Sequence, residues 1–251
     1  VALWRRRRDD EVLVQVLAAC LAVLAALAWV RVEASVVVPL LAGFVVLTIA
    51  AERVELARFH LPRTAGTTLL WLATGLALAA TWALVAPGPG SRAFGVALLA
   101  LVAWLAPRDV ARRTVRSTDL PRFSAVAMLA GYGWLTVAGV AWAVTGVPTT
   151  RAAHDLLVHT VFLGFAMSMV LAHAPVILPS VLRRPLPYRR VLWAPLVVLH
   201  AGPGVRVCGD RAGTTRPAQA GGVPTTGALR PLPLPPAAPG ATRAPLAGAA
   251  S

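Results

Sequence analysis

The sequence contains no lysine, only two cysteines and few charged residues. Of its 251 residues, 14% are charged and 57% are hydrophobic, whereas a soluble domain carries about 25% charged residues. This composition excludes an ordinary soluble globular domain. Cys20 and Cys208 lie far apart and form no CxxC pair, which excludes a disulfide framework and a cysteine-based zinc site. All 24 basic residues are arginine, which we interpret as a coding bias.

Several catalytic sequence patterns are also missing. There is no Gly-rich phosphate loop, no HExxH, no GxSxG and no pair of carboxylates within an apolar stretch. These absences argue against an ATPase, a zinc protease and a carboxylate-driven proton pump. The sequence leaves open whether the protein is an enzyme at all.

Long apolar stretches dominate what is present. A spanning helix needs roughly 20 mostly apolar residues, and the sequence predicts about seven of them. The fold class that follows is an all-α, polytopic transmembrane helical bundle over residues 1–208, in contact with the lipid bilayer. The predicted spans are 11–30, 35–51, 66–86, 92–106, 123–147, 153–178 and 191–208.

The arginines predict the orientation of these spans. Sixteen of them precede the first span or follow the second, fourth and sixth, while the alternate connections hold only Arg31, Arg92 and Arg151. Because basic loops stay cytoplasmic, the N-terminus is predicted to be cytoplasmic. Charge divided among short loops also argues against nucleic acid as a partner, since a nucleic-acid binder gathers its charge on one soluble face.

Tryptophans near the predicted span ends are typical of the aromatic belt at a membrane surface. The six that follow this pattern are Trp29, Trp71, Trp82, Trp104, Trp142 and Trp193.

The composition changes towards the C-terminus. Residues 209–251 are rich in proline, alanine and glycine, with no acidic residue after Asp210, and proline at this density prevents a helix. We expect a disordered tail. Pro203 and Arg206 lie in the outer half of the seventh predicted span, and one interpretation is that the reading frame shifts near residue 203.

Histidines within the predicted spans are the main candidates for chemistry. His159 and His173 lie in the sixth span, His200 lies in the seventh, and His154 lies at the outer entrance of the sixth. Ionisable groups at such depth are functional candidates, and neutral imidazole is the commonest metal ligand. His159 and His173 are 14 positions apart, roughly 21 Å along a helix, so they share a face but cannot bind one metal. The alternative is a histidine bonded to a backbone carbonyl across a helix pair.

The segment AERVELARF after the second predicted span carries alternating charges. We interpret it as a solvated helix end in which Glu55 pairs with Arg58, and its alternative as a cytoplasmic gate or proton entrance. Asp109 is expected at the membrane interface, Tyr132 is expected to pack between Gly131 and Gly133, and His60 is expected in solvent.

Residues 153–210 resemble the later part of NnrS-type membrane proteins. The shared features are Gly164, Phe165, Met167, the His173-Ala174-Pro175 triplet, Pro179 and His200. That family is larger, with about twelve spans.

The resemblance implies a multi-pass protein of the bacterial inner membrane that contains haem and copper and takes part in the response to nitric oxide. Carried over by position, His173 and His200 are the best candidates for haem or metal ligation. His159 follows them, and His154 is a further candidate metal ligand.

Two other functions remain open at this stage. One is a cofactor-free transporter. Against it, the predicted spans contain no acid that could couple ion movement. The other is a structural subunit that contacts other membrane subunits and uses its histidines only for helix contacts.

Overall fold

The computed structural model describes residues 9–183 and 188–211, with the backbone alone at residues 180 and 203–211. This part of the chain is helical and contains no strand. Its elements are α1 (Asp10–Trp29), α2 (Ala34–Ala57), α3 (Ala65–Val85), α4 (Pro87–Arg108), α5 (Ala111–Thr114), α6 (Asp119–Thr145), α7 (Arg151–Val158), a π-helical segment (His159–Met167), α8 (Ser168–Leu182) and α9 (Trp193–Arg211).

Six helices in the described part are long and apolar enough to cross a membrane. They are α1, α2, α3, α4, α6 and the continuous helix from Arg151 to Pro179 that contains the π-helical segment. Helices satisfy most of their backbone hydrogen bonds internally, as lipid requires. The all-α polytopic bundle predicted from the sequence is confirmed, and the chain is a multi-pass membrane protein.

The seventh predicted span corresponds to α9. A 3₁₀ turn, Arg190–Leu192, precedes it, and the apolar helical stretch described there is Arg190–Gly202. Residues 212–251, which make up nearly all of the predicted tail, lie outside the described residues.

Short connections make successive spans antiparallel neighbours. Only Ala86 separates α3 from α4, and residues 30–33 separate α1 from α2. The ends of α2, α4 and α8 therefore lie at the same end of the bundle as the starts of α1, α3 and α6. We call this end, which carries most of the arginines, the basic end.

Small residues let α4 and α6 approach closely. A Cβ atom at Gly95 of α4 would overlap the backbone nitrogen of Ala143 and lie 2.6 Å from the carbonyl oxygen of Gly139, both on α6. Such crossings are favoured in membranes, where packing rather than water exclusion holds helices together. Beside the crossing, Phe94 meets Trp142 edge to face with ring centroids 5.0 Å apart.

Trp142 corrects one expectation from the sequence. It is 1% exposed and belongs to the core, not to the aromatic belt. Its contact with Phe94 explains the difference, because an edge-to-face aromatic pair stabilises the core beyond the area that it buries.

The π-helical segment changes the relation between two of the predicted site residues. Its wider turns, closed by i→i+5 hydrogen bonds, separate His159 from His173. The shared face predicted from a regular α-helix therefore does not hold. Within the segment, Gly164 leaves room for Trp134 of α6, whose Cβ would lie 2.7 Å from a Cβ at position 164.

Gly95→Ala should destabilise the protein by about 1–3 kcal/mol, because the added methyl group forces α4 and α6 apart. Gly133→Ala is the matched control on α6, since a Cβ there has nothing within 4 Å. The control should be neutral or stabilising by up to about 1 kcal/mol. Unfolding in a detergent titration measures both, and equal stability of the two variants would contradict the close crossing.

Candidate functional site

A buried ion pair joins α2 to the end of α4. Arg53 donates from Nε to Oδ2 of Asp109 at 2.9 Å and from Nη2 to Oδ1 at 2.7 Å. Arg53 is 9% exposed and Asp109 is 5% exposed. The two parallel hydrogen bonds form the forked geometry in which a guanidinium binds a carboxylate most strongly.

Two further donors complete the hydrogen bonding of Asp109. The hydroxyl of Tyr132, on α6, donates to Oδ2 at 2.7 Å. The backbone N–H of Ala111 donates to Oδ1 at 2.9 Å. Each carboxylate oxygen thus accepts two hydrogen bonds, which offsets much of the cost of burying its charge.

His173 of α8 joins the cluster on the other side of Arg53. Nη1 of Arg53 lies 3.0 Å from Nε2 of His173, and Nδ1 of His173 lies 2.6 Å from the carbonyl oxygen of Met169. Arginine has no acceptor and a carbonyl has no donor. The imidazole is therefore neutral, with its proton on Nδ1. We call Arg53, Asp109, Tyr132 and His173 the Arg53 network.

The environment of Asp109 favours its charged form. Burial by itself would raise the pKa of this carboxyl group, but the hydrogen bonds and charge of Arg53 act in the opposite direction. The N–H of Ala111 and the hydroxyl of Tyr132 add to the effect of Arg53. The resulting pKa of Asp109 lies below its ordinary value.

The Arg53 network forms because α2 continues beyond its predicted end. Residues Ala50, Val54 and Ala57 are buried along one stripe of the helix, and Arg53 lies on that stripe. Spacings of three and four residues place these side chains on one face. The interpretation of this segment as a solvated helix end was therefore wrong for Arg53, although Glu52 and Arg58 are exposed.

A cavity of about 400 Å³ opens beside the network at the basic end. Asp109 forms part of its wall, although its side chain is only 1% exposed. Its lining residues are His60, Leu61, Pro62, Pro107, Arg108, Asp109, Val110, Arg112 and Arg113.

The structure places the remaining histidines in separate surroundings. Nδ1 of His159 lies 2.6 Å from the carbonyl oxygen of Asp155 and 3.2 Å from its carboxylate. Nδ1 of His154 is buried without a hydrogen-bond partner within the described residues. His60 is exposed, as expected from the sequence.

His200 of α9 pairs with a tryptophan. Nε1 of Trp134 donates to Nδ1 of His200 at 2.7 Å, and the two rings stack with an interplanar angle of 10°. Since Nδ1 accepts, a neutral His200 carries its proton on Nε2. That nitrogen is buried and has no partner within the part of the chain that the structure describes.

In the described arrangement, neither of the two best candidate ligands presents a free nitrogen lone pair. A metal at Nε2 of His173 would face the guanidinium of Arg53, and Nε2 of His200 carries the proton that a metal would have to replace. No three His, Cys, Asp or Glu side chains in the described residues are grouped as a metal requires. The assignment of His154, His159, His173 and His200 to haem or copper stays a prediction.

Sequence reasoning missed three members of the network. Asp109 was expected at the interface and Tyr132 was expected only to pack, yet both are buried and hydrogen-bonded to each other. One signal for Arg53 was available, because its spacing from Ala50 and Ala57 continues the apolar stripe of α2. No comparable signal linked Asp109 to Tyr132, since 23 residues and a helix boundary separate them.

A family model described as a domain of unknown function, DUF8744, matches residues 1–233. The chain belongs to this DUF8744 family. None of the curated proteins matches the chain. None of the solved structures matches it either.

Removing one partner of the ion pair should destabilise the DUF8744 chain strongly. Arg53→Met or Asp109→Leu should each cost about 3–5 kcal/mol, because an unpaired buried charge remains. The double change Arg53→Met with Asp109→Leu should cost less than the sum of the single changes. A double-mutant cycle from detergent unfolding measures this coupling, with exposed Glu52→Gln as the control. Additive losses would contradict a direct interaction.

Stability should fall in acid because of Asp109. A carboxyl group whose pKa is lowered on folding stabilises the folded protein above its unfolded pKa, and this contribution is lost as pH falls through the folded pKa. The loss should begin below about pH 4. Asp109→Asn should flatten this part of the pH profile, whereas Glu52→Gln should leave it unchanged. An identical acid limb in all three proteins would contradict the assignment.

Proposed function

We propose that this chain is a membrane transport protein whose basic end is closed by the Arg53 network. The observation that carries the proposal is the buried pair of Arg53 and Asp109, which joins α2 to the end of α4 and is extended by Tyr132 to α6 and by His173 to α8. The arginine distribution predicts that this end is cytoplasmic.

Asp109 bears on the argument against transport that was made from the sequence. That argument was the lack of an acid within the predicted spans, and Asp109 lies one residue beyond the end of α4. Asp109 is 5% exposed and bonded to residues of α2 and α6, so the bundle contains a buried carboxylate. Buried ionisable groups of this kind characterise ion and substrate pathways in membranes.

A buried ion pair is suited to a gate because its two states differ little in free energy. Its attraction is offset by the cost of removing both charges from water, so the closed pair is only weakly favoured over a hydrated one. The cavity beside Asp109 provides the aqueous side of such a gate. One turn further into α6, Leu135 is 1% exposed and belongs to the apolar core.

The π-helical segment is a second observation in favour of a gate, because it adjoins the helix whose His173 contacts Arg53. It ends at Met167, directly before the helix that carries His173. Segments of this kind often occur at functional sites. A change in their hydrogen bonding would shift His173 along or around α8 and so uncouple it from Arg53.

If the network is a gate, breaking the ion pair should expose buried residues beyond the network to water. In a Cys20→Ala, Cys208→Ala background, Ser168→Cys introduces a reporter on α8 at a position that is 0% exposed. Asp109→Asn should raise its labelling rate by a water-soluble maleimide in nanodiscs about tenfold or more, because the closed state loses its main electrostatic support.

Two controls separate a gate from general loosening. Glu52→Gln changes an exposed acid near Arg53 and should leave labelling unchanged. Ala18→Cys is a second reporter on α1, 0% exposed and remote from the network, and Asp109→Asn should leave it protected. An equal rise at both reporters, or protection of both in folded protein, would indicate a structural clamp and overturn the gate.

Solute flux is the direct readout of transport. Proteoliposomes are subjected to osmotic shock with a panel of small salts and sugars, and light scattering measures their permeability. Protein-free liposomes are the reference. We expect Asp109→Asn to raise permeability to at least one solute of the panel. Permeability equal to that of protein-free liposomes, for wild type and variant alike, would rule out the transport proposal.

A further inference from the structure

The cavity at the basic end carries an excess of positive charge. Arg108, Arg112 and Arg113 all line it, together with His60. Asp109 is the only acid of the lining, and its carboxylate is already held by Arg53, which lies outside the lining. The cavity therefore lacks a counterion among its own residues.

Two of these arginines have their full hydrogen-bonding capacity available. The side chains of Arg112 and Arg113 are exposed and make no ion pair or hydrogen bond with any residue that the structure describes. Arg108 uses Nη1 to donate to the carbonyl oxygen of Trp104 at 2.9 Å, and its guanidinium lies 5.1 Å from the Trp104 ring centroid. This contact fixes Arg108 and leaves its other donors available.

We propose that this cavity binds a phosphate group. Guanidinium donors match the oxygens of a phosphate in pairs, and three of them on one concave surface suit a tetrahedral anion better than a planar carboxylate. The volume of about 400 Å³ exceeds that of the anion alone, so the site also accommodates what the phosphate is attached to. The two sources of this chemistry are a lipid headgroup and a soluble phosphate.

The position of the cavity explains how either source reaches it. It lies at the end of α4 and α5, where the spans leave the apolar layer, so a headgroup of the adjoining leaflet and an ion in solution both have access. The cavity lies directly beside Asp109. The phosphate site does not depend on the proposed gate, because ligand binding is measured without any flux.

Neighbouring arginines at the basic end supply a matched control. Arg116, which follows α5, and Arg122, in the first turn of α6, are exposed and do not line the cavity. The pair Arg112→Gln with Arg113→Gln and the pair Arg116→Gln with Arg122→Gln remove the same charge from the same end of the bundle. A general attraction of the basic end for anions affects both pairs equally, whereas a site affects only the first.

Two probes test the purified, delipidated full chain. Equilibrium dialysis measures binding of labelled inorganic phosphate. Native mass spectrometry measures retention of phosphatidic acid against phosphatidylcholine from mixed micelles that contain equal amounts of both. We expect the cavity pair of changes to weaken binding about tenfold or more, through loss of charge-assisted hydrogen bonds, and the control pair to leave it within about twofold.

Each result decides the proposal. Cavity-dependent retention of phosphatidic acid alone supports the site with a lipid headgroup as its ligand. Cavity-dependent binding of inorganic phosphate supports the site with a soluble ligand. Binding of neither probe, or equal losses in the two pairs of variants, overturns the proposal.

Discussion

A guanidinium that lies between membrane helices needs a fixed anion, and most of the architecture at the basic end follows from this requirement. Arg53 is held within the bundle by the extension of α2 to Ala57, so Asp109 must lie where α4 ends. The N–H of Ala111 and the hydroxyl of Tyr132 must then point at the same carboxylate. Because each charge makes the burial of the other tolerable, the ends of α2 and α4 are fixed together and not separately.

The rest of the bundle is held by a different kind of contact. Between α4 and α6, Gly95 and Gly139 bring the two backbones together, and Trp142 packs on Phe94 beside them. These contacts depend on shape and carry no charge. The molecule thus combines a tightly packed apolar region with a polar region at one end, and its two regions respond to different perturbations: added volume in the first and altered charge in the second.

The spans were predictable because lipid imposes length and hydropathy on every helix independently. The Arg53 network was harder to predict, since hydropathy does not show which polar side chains contact one another. Arg53 was assigned to a solvated helix end because charge was taken to end the span. The π-helical segment has no composition signal, and it removed the face that His159 and His173 were expected to share. Trp142 was placed in the membrane belt because proximity to a span end does not reveal packing against Phe94.

The neutral state of His173 has a consequence for proton movement. Its Nδ1–H is held by the carbonyl of Met169 and its Nε2 is covered by Arg53. Arginine does not release a proton in proteins, and a backbone carbonyl does not pass one on. A proton arriving from the basic end at Asp109 therefore meets a break in the hydrogen-bonded chain before it reaches the imidazole. The hydrogen bonds of the network therefore form no continuous proton path from Asp109 to His173, although all four of its side chains are ionisable.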